Sequence, residues 1–136
     1  MSEEKKLQVL MVKPLERPKM MEIDGSLESM QDIVGGYIQS YRPFEDEVAI
    51  ICNDEGKLLG LMPNRAIYDE NHEVIDVIAG DFFVCYAPLT SEEFESLPKD
   101  LAKKYEKMFR HPEVFLDAPG GIAVIPLKPN REEQER

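Results

Sequence analysis

Reactive chemistry in this 136-residue chain would have to start from two cysteines, two histidines and one loop arginine. Cys52 and Cys85 form no C-x-x-C pair. A nucleophilic thiol needs a histidine and a positive or helix-terminal setting to become thiolate. Cys52 instead ends an apolar run in which Val48 and Ile50 share its face, and Cys85 follows closely on Phe83. Both read as small buried hydrophobes. His72 and His111 are too few to build a metal cluster by themselves. Asp69, Asn71 and Glu73 repeat the alternating oxygens that open a calcium loop. Val74, however, stands where the sharp turn needs glycine, and Gly80 where the bidentate glutamate belongs. That segment reads as a solvated turn, and neither a metal nor a cofactor is expected. Gly35–Gly36 closes a helix rather than opening one, so it aims carbonyls outward and makes no phosphate cradle.

Arg65 is the most informative single residue. It follows Pro63–Asn64 directly after an apolar stretch. A guanidinium at such a loop can grip a carboxylate or phosphate bidentately, although an ordinary salt bridge is the plainer reading. Tyr37, Asn53, Asn64 and Arg65 are therefore the candidate ligand- or partner-binding residues. A second candidate is a basic stripe. Lys99, Lys103 and Lys107 recur at four-residue spacing, one face of a helix. Residues 99–110 carry five basic side chains against Asp100 and Glu106, a local charge of +3 that leaves −14 elsewhere. Such a stripe can dock an acidic partner, or simply be the solvated face opposite a core stripe.

The elements that must position these residues follow from pattern. Strands are expected at residues 7–12, 20–23, 37–41, 48–52, 74–78 and 82–86, with β-branched and aromatic runs bounded by Pro, Gly and acidic turns. The 48–52 run is continuously apolar, as an interior strand covered on both faces should be. Asn53–Asp54–Glu55–Gly56 reads as a hairpin turn with residues 57–62 returning as a strand, and residues 63–66 as a loop or helical turn. Ser26 caps a short helix whose apolar positions are Leu27, Met30, Ile33 and Val34. Thr90 and Glu93 spell a capping box for a second helix near Ser91, which Pro98 interrupts or restarts. Leu101, Tyr105, Met108 and Phe109 give its apolar stripe. Residues 1–112 are expected to form a single α+β domain on a mostly antiparallel sheet of five to six strands, with one short early helix and a helical segment near the C-terminus. Residues 113–136 are expected to be an irregular extension, frayed at its last residues.

Composition bounds the function. A mass of 15.6 kDa suits one domain with an adequate core. A net charge of −11 repels phosphate backbones and anionic membranes, so neither direct nucleic-acid binding nor membrane association is expected. The opening MSEEKK lacks the basic-then-apolar pattern of a signal peptide, and two unpaired cysteines suit a reducing compartment. A cytoplasmic location is the expectation.

The chained motifs carry a resemblance. Ile23–Asp24–Gly25–Ser26–Leu27, Val34–Gly35–Gly36–Tyr37–Ile38 and Asn53-x-Glu55–Gly56–Lys57 run in order along the chain. They are followed by Leu59–Gly60–Leu61-x-Pro63–Asn64–Arg65–Ala66 and Asp76–Val77–Ile78–Ala79–Gly80. From about Leu7 to Phe109 the sequence resembles the bacterial domain of unknown function family 3846. What the resemblance implies is a setting in bacterial genomes, phages and conjugative elements; it implies no catalytic residues. The expected function is a small, acidic, non-enzymatic binding or accessory protein with a protein partner. One alternative is an acidic DNA mimic that occupies a basic nucleic-acid-binding protein. Another is a small anionic ligand held by Arg65. Homodimerisation through a sheet edge is also open.

Overall fold

The computed structural model describes residues 5–128. Its core is a five-stranded antiparallel sheet built from β1 (Lys6–Val12), β2 (Lys19–Asp24), β3 (Ile38–Tyr41), β4 (Val48–Asn53) and β7 (Phe82–Tyr86). The strands lie in the order β2-β1-β7-β4-β3. Leu10, Val84 and Ile50 stand in one cross-strand row, and Met11, Phe83 and Ile51 in the next. Strand residues alternate between faces, so those two rows feed opposite sides of the sheet.

Each side has its own core. Leu7, Val9, Met11, Ile23, Ala49, Ile51, Phe83 and Cys85 pack with Met30 and Ile33 of helix α1 (Leu27–Val34) and with Phe94. The Ser26 hydroxyl accepts from the Ser29 amide to cap that helix, and Gly35 ends it in the left-handed conformation. On the other side, Leu10, Val12, Val48, Ile50, Cys52, Phe82 and Val84 meet Tyr105 and Phe109 at the end of helix α2 (Lys99–Met108). They also meet Ile67 and Ile78 of a two-stranded hairpin, β5 (Pro63–Tyr68) and β6 (Val74–Ala79). The sheet is thus buried on both faces, which is why every residue of β4 is apolar or internally hydrogen-bonded.

The α+β architecture agrees with expectation, and several local readings are corrected. Residues 57–62 are not a returning strand. β4 already pairs with β3 on one edge and β7 on the other, so no edge is left to receive one. The Asn53 side chain accepts from the Glu55 amide, and bonds from Leu59 to Glu55 and Leu61 to Gly56 coil the segment into tight turns, leaving Leu58 86% exposed. Residues 63–66, expected as a loop or helical turn, begin β5; Pro63 takes the first strand position, and a register shift follows it. The Thr90–Glu93 box caps no helix, because the Glu93 amide bonds to Ser91 and Glu95 pairs with Tyr86. The helix starts at Lys99 behind Pro98 instead.

The stretch after Pro112 is ordered where irregularity was expected. It forms a hairpin of β8 (Glu113–Ala118) and β9 (Gly121–Pro126), turned by Pro119–Gly120 with Gly120 at φ 86°. That is the geometry of a type II turn. The expected fraying at residues 131–136 lies outside the described residues. No helix among the described residues is long and apolar enough to cross a membrane.

Gly56 shows how tightly the 53–62 turn sits on the β5–β6 hairpin. A Cβ built there would lie 2.9 Å from the carbonyl oxygen of Ala79, a backbone atom that cannot rotate away. Gly56→Ala should therefore lower stability by about 1–3 kcal/mol, as overpacking against backbone does. Urea unfolding measures this, and an unchanged midpoint would show that the turn does not bear on β6.

Candidate functional site

The Arg65 guanidinium is not at the surface. Only 1% of the residue is exposed, and no carboxylate among the described residues bonds to it. Its Nε donates to the Phe109 carbonyl at 3.0 Å, Nη1 to the backbone and side-chain oxygens of Asn64, and Nη2 to the Glu16 carbonyl at 2.6 Å. Phe109 is the C-cap of α2, so the cation sits at the negative end of that helix. Asn64, fully buried, donates through its Nδ2 to the carbonyls of Val12 and Gly80. Together the pair ties the β1–β2 loop, β5, the β6–β7 turn and the end of α2 to one point. Burial presses the Arg65 pKa down, opposed by the nearby Glu113 carboxylate. Where a loop salt bridge was the plainer expectation and a grip on an external anion the alternative, the guanidinium instead holds oxygens of the chain itself.

Asn53 is likewise internal. Its Nδ2 donates to the Val34 carbonyl at 3.0 Å, fixing the end of α1 to β4. Tyr37 is 75% exposed beside Gly35 and Gly36 in a shallow recess. The candidate residues do not converge: Arg65, Asn53 and Tyr37 border three separate concavities. Lys99, Lys103 and Lys107 are all exposed on α2. Their neighbour Lys104 pairs with Asp46, which also accepts from the buried Tyr105 hydroxyl.

Two clefts flank the β5–β6 hairpin. The first, about 430 Å³, lies between the 53–58 turn and β6. Its side chains include Tyr41, Asp54, Glu55, Lys57 and Asp76. Lys57 Nζ meets Asp76 Oδ1 at 2.7 Å. Burial opposes the ionised form of Asp76, yet bonds from Lys57, the Val77 amide and Tyr41 hold its carboxyl below the usual range. Tyr41 is correspondingly pushed up, by burial first and by Asp76 second. Cys52 also borders this cleft, with burial and the carboxylates of Asp76 and Asp54 raising its thiol to about 11.

The second cleft, about 380 Å³, lies between β5, the end of α2 and the β8–β9 hairpin. It brings together Arg65, Tyr68, His72, His111, Glu113 and Lys128. Glu113 accepts from the Ala66 amide through Oε1 and from the Tyr68 hydroxyl through Oε2. Burial and that carboxylate push the Tyr68 phenol up to about 12. The calcium-like segment is spent on itself, since Asp69 Oδ1 accepts from the amides of Asn71 and Glu73.

The first cleft is lined by two of the chained motifs, Asn53-x-Glu55–Gly56–Lys57 and the start of Asp76–Val77–Ile78–Ala79–Gly80. A family model described as Domain of unknown function (DUF3846) matches residues 6–110. The chain belongs to that family. Its match agrees within a residue at either end with the span expected from the motifs, and it contains the first cleft whole. The second cleft draws His111, Glu113 and Lys128 from beyond the match. No curated protein and no solved structure matches the chain.

The sequence did not single out Asp76, Tyr41 and Lys57 of the first cleft or Lys128 of the second as site residues, and it weighed His111 only as a metal ligand. Asp76 was visible as the one charged residue interrupting the apolar 74–78 run. No signal pointed to Lys128, because only the β8–β9 hairpin carries it back to the body.

Two outcomes follow from this geometry. Arg65→Met leaves the carbonyls of Phe109 and Glu16 without their donor, so stability should fall by about 2–5 kcal/mol. Lys104→Met, losing an exposed pair, should cost under about 1 kcal/mol. Chemical denaturation compares the two, and equal losses would mean that the clasp holds nothing. Cys52 and Cys85 are both buried, and burial raises the Cys85 thiol to about 12. A thiol reagent at pH 8 should label neither until the protein is unfolded; prompt labelling of the folded chain would contradict this environment.

Proposed function

We propose that the protein is a small acidic binding protein, without catalytic activity of its own, that receives a basic side chain of a protein partner in the cleft between the 53–58 turn and β6. The observation that carries this reading is the coincidence of chemistry and motif. Two of the chained motifs, both inside the family match, line that cleft, and together with the adjoining apolar Leu58 they present outward the carboxylates of Asp54 and Glu55 and the Asp76–Lys57 pair. An arginine or lysine head would meet Asp54 and Glu55, both exposed, while its methylene stem covers Leu58. The −11 charge of the whole chain favours a basic partner and speeds its approach.

The absence of enzymatic activity is supported by where the potential nucleophiles lie. Both thiols are buried and disfavoured as thiolates. Their unpaired state suits a reducing cytosol. A basic-surface partner is the kind that an accessory protein of a phage or other mobile element would engage. An acidic DNA mimic is the special case in which that partner binds nucleic acid.

The test is a titration of the full chain with a short arginine-rich peptide of fixed sequence, followed by anisotropy at two salt concentrations. Binding should weaken at high salt, and Asp54→Asn and Glu55→Gln should each weaken it about three- to tenfold. Glu92→Gln and Glu93→Gln, exposed at a distance in sequence, should leave it unchanged. Equal effects from all four variants would reduce the interaction to overall charge and sink the assignment of the cleft.

A further inference from the structure

The five-stranded sheet ends in two edges of different character. β2 carries Lys19, Glu22 and Asp24 and follows Pro18, and charges and proline of this kind keep an edge from pairing with another chain. β3, at the other end, holds Ile38, Gln39, Ser40 and Tyr41, with no charge and no proline. The Asp54 amide donates to the Tyr37 carbonyl at 2.8 Å, and the antiparallel pairing continues from Gln39 to Cys52 and from Tyr41 to Ile50. Bonded pairs alternate along an antiparallel ladder, so Tyr37, Gln39 and Tyr41 bond inward to β4. The N–H and C=O groups of Ile38 and Ser40 therefore point outward from the free edge.

The two faces beside this edge differ as well. Gln39 and Tyr41 border the first cleft, whose charged side chains are Asp54, Glu55 and Asp76 against Lys57. Ile38 lies on the opposite face, packed with the core around Met30 of α1. A strand added outside β3 would stand roughly 5 Å from it. Its residues opposite Gln39 and Tyr41 would project beside the acidic cleft, and those opposite Ile38 and Ser40 would project to the α1 side. A second copy of β3 is a poor occupant, because it has no basic residue and would bring two acidic clefts together.

We infer that the free edge of β3 receives an extended segment of a basic partner protein, in which basic and apolar residues alternate. The segment adds as a strand antiparallel to β3, as every pairing in this sheet is. Main-chain bonds to Ile38 and Ser40 supply affinity that is independent of side chains. Basic residues at alternate positions enter the acidic cleft and supply selectivity, while the apolar ones between them pack beside Ile38. The inference rests on the cleft accepting a basic side chain, and it extends that reading from one cationic head to a strand-forming segment.

The probe is a short end-capped peptide alternating arginine and isoleucine, titrated into the full chain by anisotropy, with amide exchange followed by NMR. In the antiparallel register its isoleucines stand opposite Ile38 and Ser40 and donate to them, while its arginine amides point to solvent. N-methylating the isoleucine amides should weaken binding roughly tenfold or more, and N-methylating the arginine amides should change it less than about twofold. Exchange at the Ile38 and Ser40 amides should be fast in the free chain and slow in the complex, with Gln39 and Tyr41 protected in both. Equal effects of the two methylations, with Asp54→Asn and Glu55→Gln still weakening binding, would overturn the added strand and leave the cleft reading standing. Register-dependent methylation with no effect of those two variants would sink the cleft reading and the basic partner with it, and a peptide that does not bind would overturn both. Protection of Ile38 and Ser40 that grows with protein concentration alone would assign the edge to a second copy and overturn the inference.

Discussion

A buried cation whose hydrogen bonds among the described residues all go to uncharged oxygens is the constraint on which the rest of this structure turns. Arg65 gives its donors to the carbonyls of Glu16, Asn64 and Phe109 and to the side-chain oxygen of Asn64. Desolvating a guanidinium is expensive, and only a full set of acceptors makes it tolerable. Those acceptors come from a loop, a strand and a helix end far apart in sequence, so all three must be in place together. The β5–β6 hairpin is thereby pinned against the main sheet. Asn64 repeats the device one residue earlier, drawing Val12 and Gly80 to the same point.

Pinning the hairpin has consequences on both of its sides. It is narrower than the sheet it covers, so a cleft opens along each edge. On the β6 edge, the coiled 53–62 turn faces Asp76 with two exposed carboxylates and an exposed leucine. On the β5 edge, the end of α2 and the β8–β9 hairpin bring His111 and Lys128 beside Arg65. The lining there is mixed in charge, with Arg65 and Lys128 beside Asp69 and Glu113.

The parts of the fold legible in the sequence were those governed by short-range rules. The Ser26 cap, the Gly35 stop and the alternation along β1, β4 and β7 needed only neighbouring residues to be recognised. The chained glycine and asparagine motifs were enough to reveal the family. The misreadings share a cause. Residues 57–62 have strand-like composition, but both edges of β4 were already occupied. Thr90 and Glu93 satisfy a capping pattern, but Glu95 is held in a bridge to Tyr86. Each local preference was overridden by a pairing with a distant segment.

The candidate site divides along the same line. By itself the sequence determined that the chain is acidic, that its thiols are not set up as nucleophiles, and that Asn53, Asn64 and Arg65 occupy turn-rich motifs of unusual polarity. Residue types and short spacings carry that information. Whether Arg65 faces solvent, and which groups share its cavity, was decided only by tertiary structure. Side-chain direction at a strand start depends on register and bulges, and burial depends on what the other layer brings over it. The most suggestive binding residue of the sequence is thus the fold's internal clasp, and the open chemistry lies in the clefts beside it.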